Sequence, residues 1–106
     1  MARAKFQTLT EQMFYVLLCL KIETYGMDIL DQVPAMTAGR VRVGSGTLYH
    51  LLEEFLDAGF IRETKVEGRR RSYLLTKEGR ELLDQEYARL NAQAADYRRI
   101  FGEEEM

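Results

Sequence analysis

The stretch from Ser45 to Tyr73 leaves this chain few folds to choose from. Leu48, Leu51, Leu52, Phe55 and Leu56 fall at i, i+3, i+4, i+7 and i+8, an apolar stripe that a helix presents on one side. Ser45 is placed to cap that helix, and Gly59 to stop it. Phe60 to Val66 and Ser72 to Thr76 then read as two antiparallel strands around a turn at Gly68. The turn carries Arg69, Arg70 and Arg71. A helix with a polar front end, followed directly by a hairpin tipped with positive charge, predicts a winged helix.

The remaining segments fit around that unit. A first helix begins near Thr8 or Thr10: Thr8 with Glu11 has capping-box spacing, and Thr10 directly precedes the periodic run. From Met13 to Ile22 the apolar residues cover more than one stripe, as in a helix that touches two neighbours. Tyr25-Gly26 breaks it, and a second helix follows from about Met27, with Ile29, Leu30 and Val33 inward. Pro34 lacks a backbone donor and should kink or end that helix. Arg40-Val41-Arg42-Val43 alternates and predicts one small strand. Beyond Thr76, which can cap a last helix, Leu83, Tyr87, Leu90, Ala94, Tyr97 and Phe101 recur at spacings of 4, 3, 4, 3 and 4. That is a heptad stripe, on a helix of roughly 36 Å. So long a helix outruns so small a core, and its stripe predicts a homodimer interface.

Composition sets the class. The 106 residues suffice for one core without staples. A single cysteine, Cys19, cannot form an internal disulfide and suits a reducing cytoplasm. The longest apolar stretch, Met13 to Leu20, is too short to span a membrane. Met1 to Lys5 is basic, but no signal-type apolar region follows it. The net charge of −2 is unevenly placed: residues 1–77 hold 11 Lys/Arg against 9 Asp/Glu, and residues 78–106 hold 4 against 8. The acidic excess therefore belongs to the last helix and the Glu103-Glu104-Glu105 tail, while the wing end is mildly positive. No catalytic set, metal-ligand cluster or phosphate-cradling glycine loop is present, so neither enzyme nor cofactor is expected.

Such a distribution points to DNA. In the third helix Thr47, Tyr49 and His50 face outward early, and Glu53, Glu54 and Asp57 late. Carboxylates in a groove would repel phosphates, so the front half should meet the duplex, as helix-turn-helix recognition helices do. Ser45 and Thr47 would serve both the start of the helix and phosphate anchoring through its free amides. Tyr49 reads either as a phosphate contact or as a half-buried aromatic beside the wing. His50 reads as a base-edge or phosphate contact or as an idle surface side chain. Arg69, Arg70 and Arg71 read as phosphate or minor-groove contacts or as a solvated turn, and strand alternation keeps all three from touching at once. Arg40 and Arg42 are weaker candidates. The C-terminal aromatic stripe serves dimer packing or, alternatively, a ligand box.

These residues carry a resemblance. Leu9-Thr10-Glu11, Tyr25-Gly26, Gly44-Ser45-Gly46-Thr47-Leu48-Tyr49, Gly59-Phe60-Ile61, Gly68 to Tyr73 and Leu75-Thr76-Lys77-Glu78-Gly79 together resemble the PadR family of bacterial transcriptional regulators, over about residues 9 to 83. The resemblance implies a winged helix-turn-helix that dimerises through a C-terminal helix, in the smaller branch with a single long one. It also implies repression at an inverted-repeat operator, relieved in many members by a small aromatic or amphipathic molecule. Ser45 stands where the family commonly has proline, and Tyr25-Gly26-Met27 where it commonly has His-Gly-Tyr. Multidrug-sensing relatives stack flat ligands between tryptophans, which this chain lacks; Tyr87, Tyr97 and Phe101 are the aromatics available for a smaller pocket.

The reading is thus a mainly α fold with a small β-hairpin wing: a winged helix-turn-helix over residues 1–76, then a dimerisation helix and acidic tail over 77–106. Its function is that of a cytoplasmic, sequence-specific, homodimeric repressor of double-stranded DNA. Two rival readings are a winged-helix protein-interaction module that never touches nucleic acid, and a small-molecule carrier built around the dimer seam.

Overall fold

The computed structural model describes residues 8–102; the basic start and the Glu103-Glu104-Glu105 tail lie outside them. Among the described residues four helices and three strands follow in the order α1 (Glu11–Cys19), β1 (Thr24–Tyr25), α2 (Gly26–Met36), α3 (Ser45–Ala58), β2 (Ile61–Glu67), β3 (Arg70–Leu75) and α4 (Lys77–Phe101). The sheet is antiparallel, ordered β1-β3-β2. It is the predicted winged-helix architecture.

Thr10 caps α1, its hydroxyl accepting the Met13 amide at 3.1 Å. Val16, Leu17, Leu20, Ile29, Val33, Leu48, Leu52 and Phe55 form the buried centre where α1, α2 and α3 meet. The sheet closes one side of it through Ile61 and Tyr73, and the Leu75 amide donates to the Leu20 carbonyl at 2.8 Å.

Four local expectations change. The first helix stops at Cys19, and Tyr25 belongs to a two-residue strand pairing Thr24 with Tyr73 and Tyr25 with Ser72. Thr24 holds this corner by donating its hydroxyl to the Ile22 and Cys19 carbonyls. Pro34 does not end α2, which runs on to Met36. The turn follows at Ala38 and Gly39, both with positive φ, where the Gly39 amide donates to the Pro34 carbonyl.

Residues 40–43 form no strand, and no described strand pairs with them. Val41 and Val43 point into the core while the arginines stay outside, which reproduces a strand's alternation without its hydrogen bonds. Side chains supply those bonds instead. Buried Thr37 accepts the Val41 amide, and the Gln12 amide donates to the Arg42 carbonyl at 3.0 Å. Finally, Ser45 is the first helical residue of α3 and not its cap. Gly44 is the cap, extended at φ −75°, and its carbonyl accepts the Leu48 amide at 2.9 Å.

α4 begins on a tight joint. Thr76 accepts the Gly79 amide and donates its own hydroxyl to the Gly59 carbonyl at 2.7 Å. Gly79, Leu82, Leu83 and Glu86 are buried against the body of the protein. From Leu90 to Phe101 every residue is exposed, so the far half of this 25-residue helix projects free of the core.

Candidate nucleic-acid interface

The hairpin turns in two residues, Gly68 and Arg69, with Glu67 facing Arg70 across the ladder. Gly68 has φ +63°, a conformation open to glycine at the first central position of such a turn. Of the arginine triplet, only Arg69 sits on the turn itself. Arg70 and Arg71 start β3.

Between this hairpin and α3 lies a cleft of about 420 Å³. Tyr49 and Glu53 line it from α3, Arg69, Arg70 and Arg71 from the wing, and Glu63 from β2. The tyrosine and the three guanidinium groups therefore share one concavity. Tyr49 is 44% exposed, with part of its ring packed and part open to the cleft. Its ring rests near Gly26, where an added Cβ would stand 3.6 Å from Tyr49 and 3.4 Å from both Leu52 and Tyr73. The start of α2 thus lies in van der Waals reach of both α3 and β3.

Each arginine is held differently. The Arg71 guanidinium donates to the Glu63 carboxylate at 3.0 Å. Arg70 stacks over the Tyr25 ring, 3.9 Å from its centroid. Arg69 forms no ion pair with a described residue and is exposed. Burial pushes the Tyr73 phenol, which lines the cleft, above its usual pKa, with Glu63 adding to the shift, so it stays neutral.

Ser45, Thr47 and His50 are exposed on the front half of α3 but do not line the cleft. His50 stands 3.2 Å from Glu54, one turn along, and is largely solvated. The structure thus groups Tyr49 with the wing and leaves Ser45, Thr47 and His50 on the leading end of the helix. Sequence reasoning passed over Tyr25 and Glu63. Tyr25 was hidden because a two-residue strand has no periodicity, although its pairing with glycine marked a break.

The predicted interface residues of α4 also divide. Leu83 is buried in the core of its own chain, 6% exposed. Tyr87, Leu90, Ala94, Tyr97 and Phe101 are exposed, and the Tyr97 and Phe101 rings lie 5.5 Å apart. Tyr87 also lines a groove of about 240 Å³ with Phe14 and Leu18 of α1. Where α4 leaves the core, buried Glu86 accepts the Leu9 amide at 2.9 Å and two Arg89 donors at 2.6 and 2.8 Å. Those Arg89 bonds, helped by the Leu9 amide, hold its carboxyl below the usual range despite burial. Cys19 is buried and its thiol is pushed up to about 11 by burial. Among the described residues no acid, histidine or cysteine group could hold a metal, and no helix is long and apolar enough to cross a membrane.

Comparison with known proteins agrees with the fold. The model of the transcriptional regulator PadR-like family matches residues 16–85. A PadR-like transcription factor from Bacteroides fragilis is 26% identical, with a TM-score of 0.70 over 84% of this chain and 88% of that one. A transcriptional regulator from Clostridium thermocellum is 20% identical, with a TM-score of 0.71 over 86% and 89%. RosR of H. salinarum is 23% identical, with a TM-score of 0.64 over 85% and 78%. The last two show the fold. No curated protein matches the sequence.

Proposed function

We propose that this chain, which belongs to the PadR-like family of transcriptional regulators and is a DNA-binding regulator on that ground, works as a homodimeric repressor of an inverted-repeat operator. In this reading the front of α3 enters the major groove, with Ser45, Thr47 and His50 leading and Tyr49 beside the backbone. The wing arginines take the flanking phosphates. The observation that carries it is the shared cleft of Tyr49 and Arg69, Arg70 and Arg71.

Dimerisation through α4 is supported by the exposed apolar residues on its projecting half. Leu90, Tyr97 and Phe101 there, with Tyr87 one turn before them, are between 39% and 63% exposed, a cluster of apolar side chains of the kind that marks an interaction surface. Two copies joined there would place their α3 helices in successive grooves about 34–36 Å apart. The aromatic groove beside Tyr87 is the place for a small aromatic effector that relieves repression. The site of action is the cytoplasm.

Glu53 and Glu63 in the cleft favour the rival reading, a protein-interaction module, because carboxylates there would repel phosphate. A mobility shift on the DNA upstream of its own gene, with random duplex as competitor, decides between them. Specific retention is expected, with log affinity falling steeply against log salt. Equal displacement by any duplex would remove the operator. No shift at low salt would remove DNA.

A further inference from the structure

Glu67 and Arg70 face each other directly across the hairpin. Opposite charges so placed, with Cβ atoms about 5 Å apart, ordinarily pair. Here they do not. The Glu67 carboxylate instead accepts the Tyr25 hydroxyl at 3.1 Å, and the Arg70 guanidinium carbon stands over the same ring, 3.9 Å from its centroid. Among the described residues no ion pair joins Glu67 to Arg70. Tyr25 reaches both because β1 pairs with β3 at Tyr25↔Ser72, which makes Arg70 its diagonal neighbour on one face of the sheet.

The chemistry of a guanidinium gives this arrangement a consequence. Its N–H donors lie in its plane and its π face is free to stack, so an aromatic ring occupies the face and leaves the edge open. A carboxylate would take that edge and cancel its charge. We infer that Tyr25 is the positioning residue of the wing: it steadies Arg70 through the ring and, through the hydroxyl, holds Glu67 off it, so that Arg70 presents its free edge to a DNA phosphate. The inference rests on the wing being the phosphate-binding element. It adds a residue that touches no DNA but sets how many phosphates each wing neutralises.

The test is a salt titration of binding to a random-sequence duplex, which reads the phosphate contacts alone. Tyr25→Phe keeps the ring and removes the hydroxyl, so the fold and the melting temperature should hold. Glu67 is then free to close on Arg70. Affinity should fall roughly two- to fivefold per wing, the size of an exposed ion pair. The log–log slope should become shallower by about 0.9 for each lost phosphate. Adding Glu67→Gln to Tyr25→Phe should restore both, whereas Glu67→Gln alone should change little. A Y25F protein that binds like the wild type overturns the inference, as does an E67Q gain equal in both backgrounds. A wild-type protein that binds no duplex at all removes the DNA reading and this inference together, so the two failures are distinguishable.

Discussion

Gly79 sits against the carbonyl oxygen of Phe60 so closely that no Cβ fits between them, and such a Cβ would also stand only 2.8 Å from the Leu75 side chain. The first turn of α4 is thereby pressed onto the residue that leads from α3 into β2. Replacing Gly79 with alanine would gain about 1 kcal/mol of helix propensity, but it drives a methyl into backbone that cannot rotate away. The clash should win, since overpacking costs about 1–3 kcal/mol and more where backbone is met, which leaves a net loss of about 1–2 kcal/mol. A melting temperature lower by roughly 10 °C in thermal unfolding is the expected result. An unchanged midpoint would mean the joint yields.

The three wing arginines should not count equally. Arg71 is already engaged by Glu63, whereas Arg69 has no ion-pair partner among the described residues. Arg69→Ala should flatten the salt dependence of duplex binding by up to about 0.9 per wing, and Arg71→Ala by less. Equal slopes for the two variants would argue against this ranking.

Two leucines of the same stripe should fail in different ways. Leu83→Asp puts a charge into the core of its own chain and should unfold it, at a cost above about 4 kcal/mol. Leu90 is 39% exposed on the projecting half of α4. Its change to Asp should leave a folded chain that sediments as a monomer. A Leu90→Asp protein still dimeric at micromolar concentration would remove α4 as the interface.

Glu86 should give the fold an acid-sensitive element. Its carboxyl pKa is lowered in the folded chain, first by the Arg89 hydrogen bonds. The carboxylate therefore adds stability above its ordinary, unfolded value near 4.5, and that stability is lost as the pH falls through the lower folded value. In Glu86→Gln this component disappears. The difference in melting temperature between wild type and variant should be widest near neutral pH and should shrink below pH ~4.5.

Cys19 should be silent in the folded protein. A buried thiol with its pKa raised to about 11 holds almost no thiolate near pH 8. Alkylation should wait for unfolding and then track denaturant. Fast labelling of the native chain would show that α1 opens at this point.

How much of this could be read before folding depends on the range of the forces involved. The stripe from Leu48 to Leu56 and the αL glycine at Gly59 are set by neighbours in the chain, so α3 and its end are legible at once. The hairpin is legible for the same reason, since Gly68 supplies a conformation that its turn requires. Residues 40–43 misled because period-two burial is only half of a strand. The other half is a partner with free hydrogen-bonding groups, and Thr37 and Gln12 had taken that place. Ser45 misled because capping depends on which residue is the last to stay extended, and that residue is Gly44.

The sequence alone determined the elements and their order, together with the leading polar end of α3 and the charge at the hairpin, because each follows from local periodicity, turn chemistry and residue type. It also carried the family. Tertiary structure alone decided that Tyr49 and the arginines would share one cleft, that Leu83 would turn inward while Leu90 stayed out, and that Tyr25 would stand between Glu67 and Arg70. Those relationships depend on how separate elements pack against a common core, and no local pattern encodes the angle at which two packed elements meet.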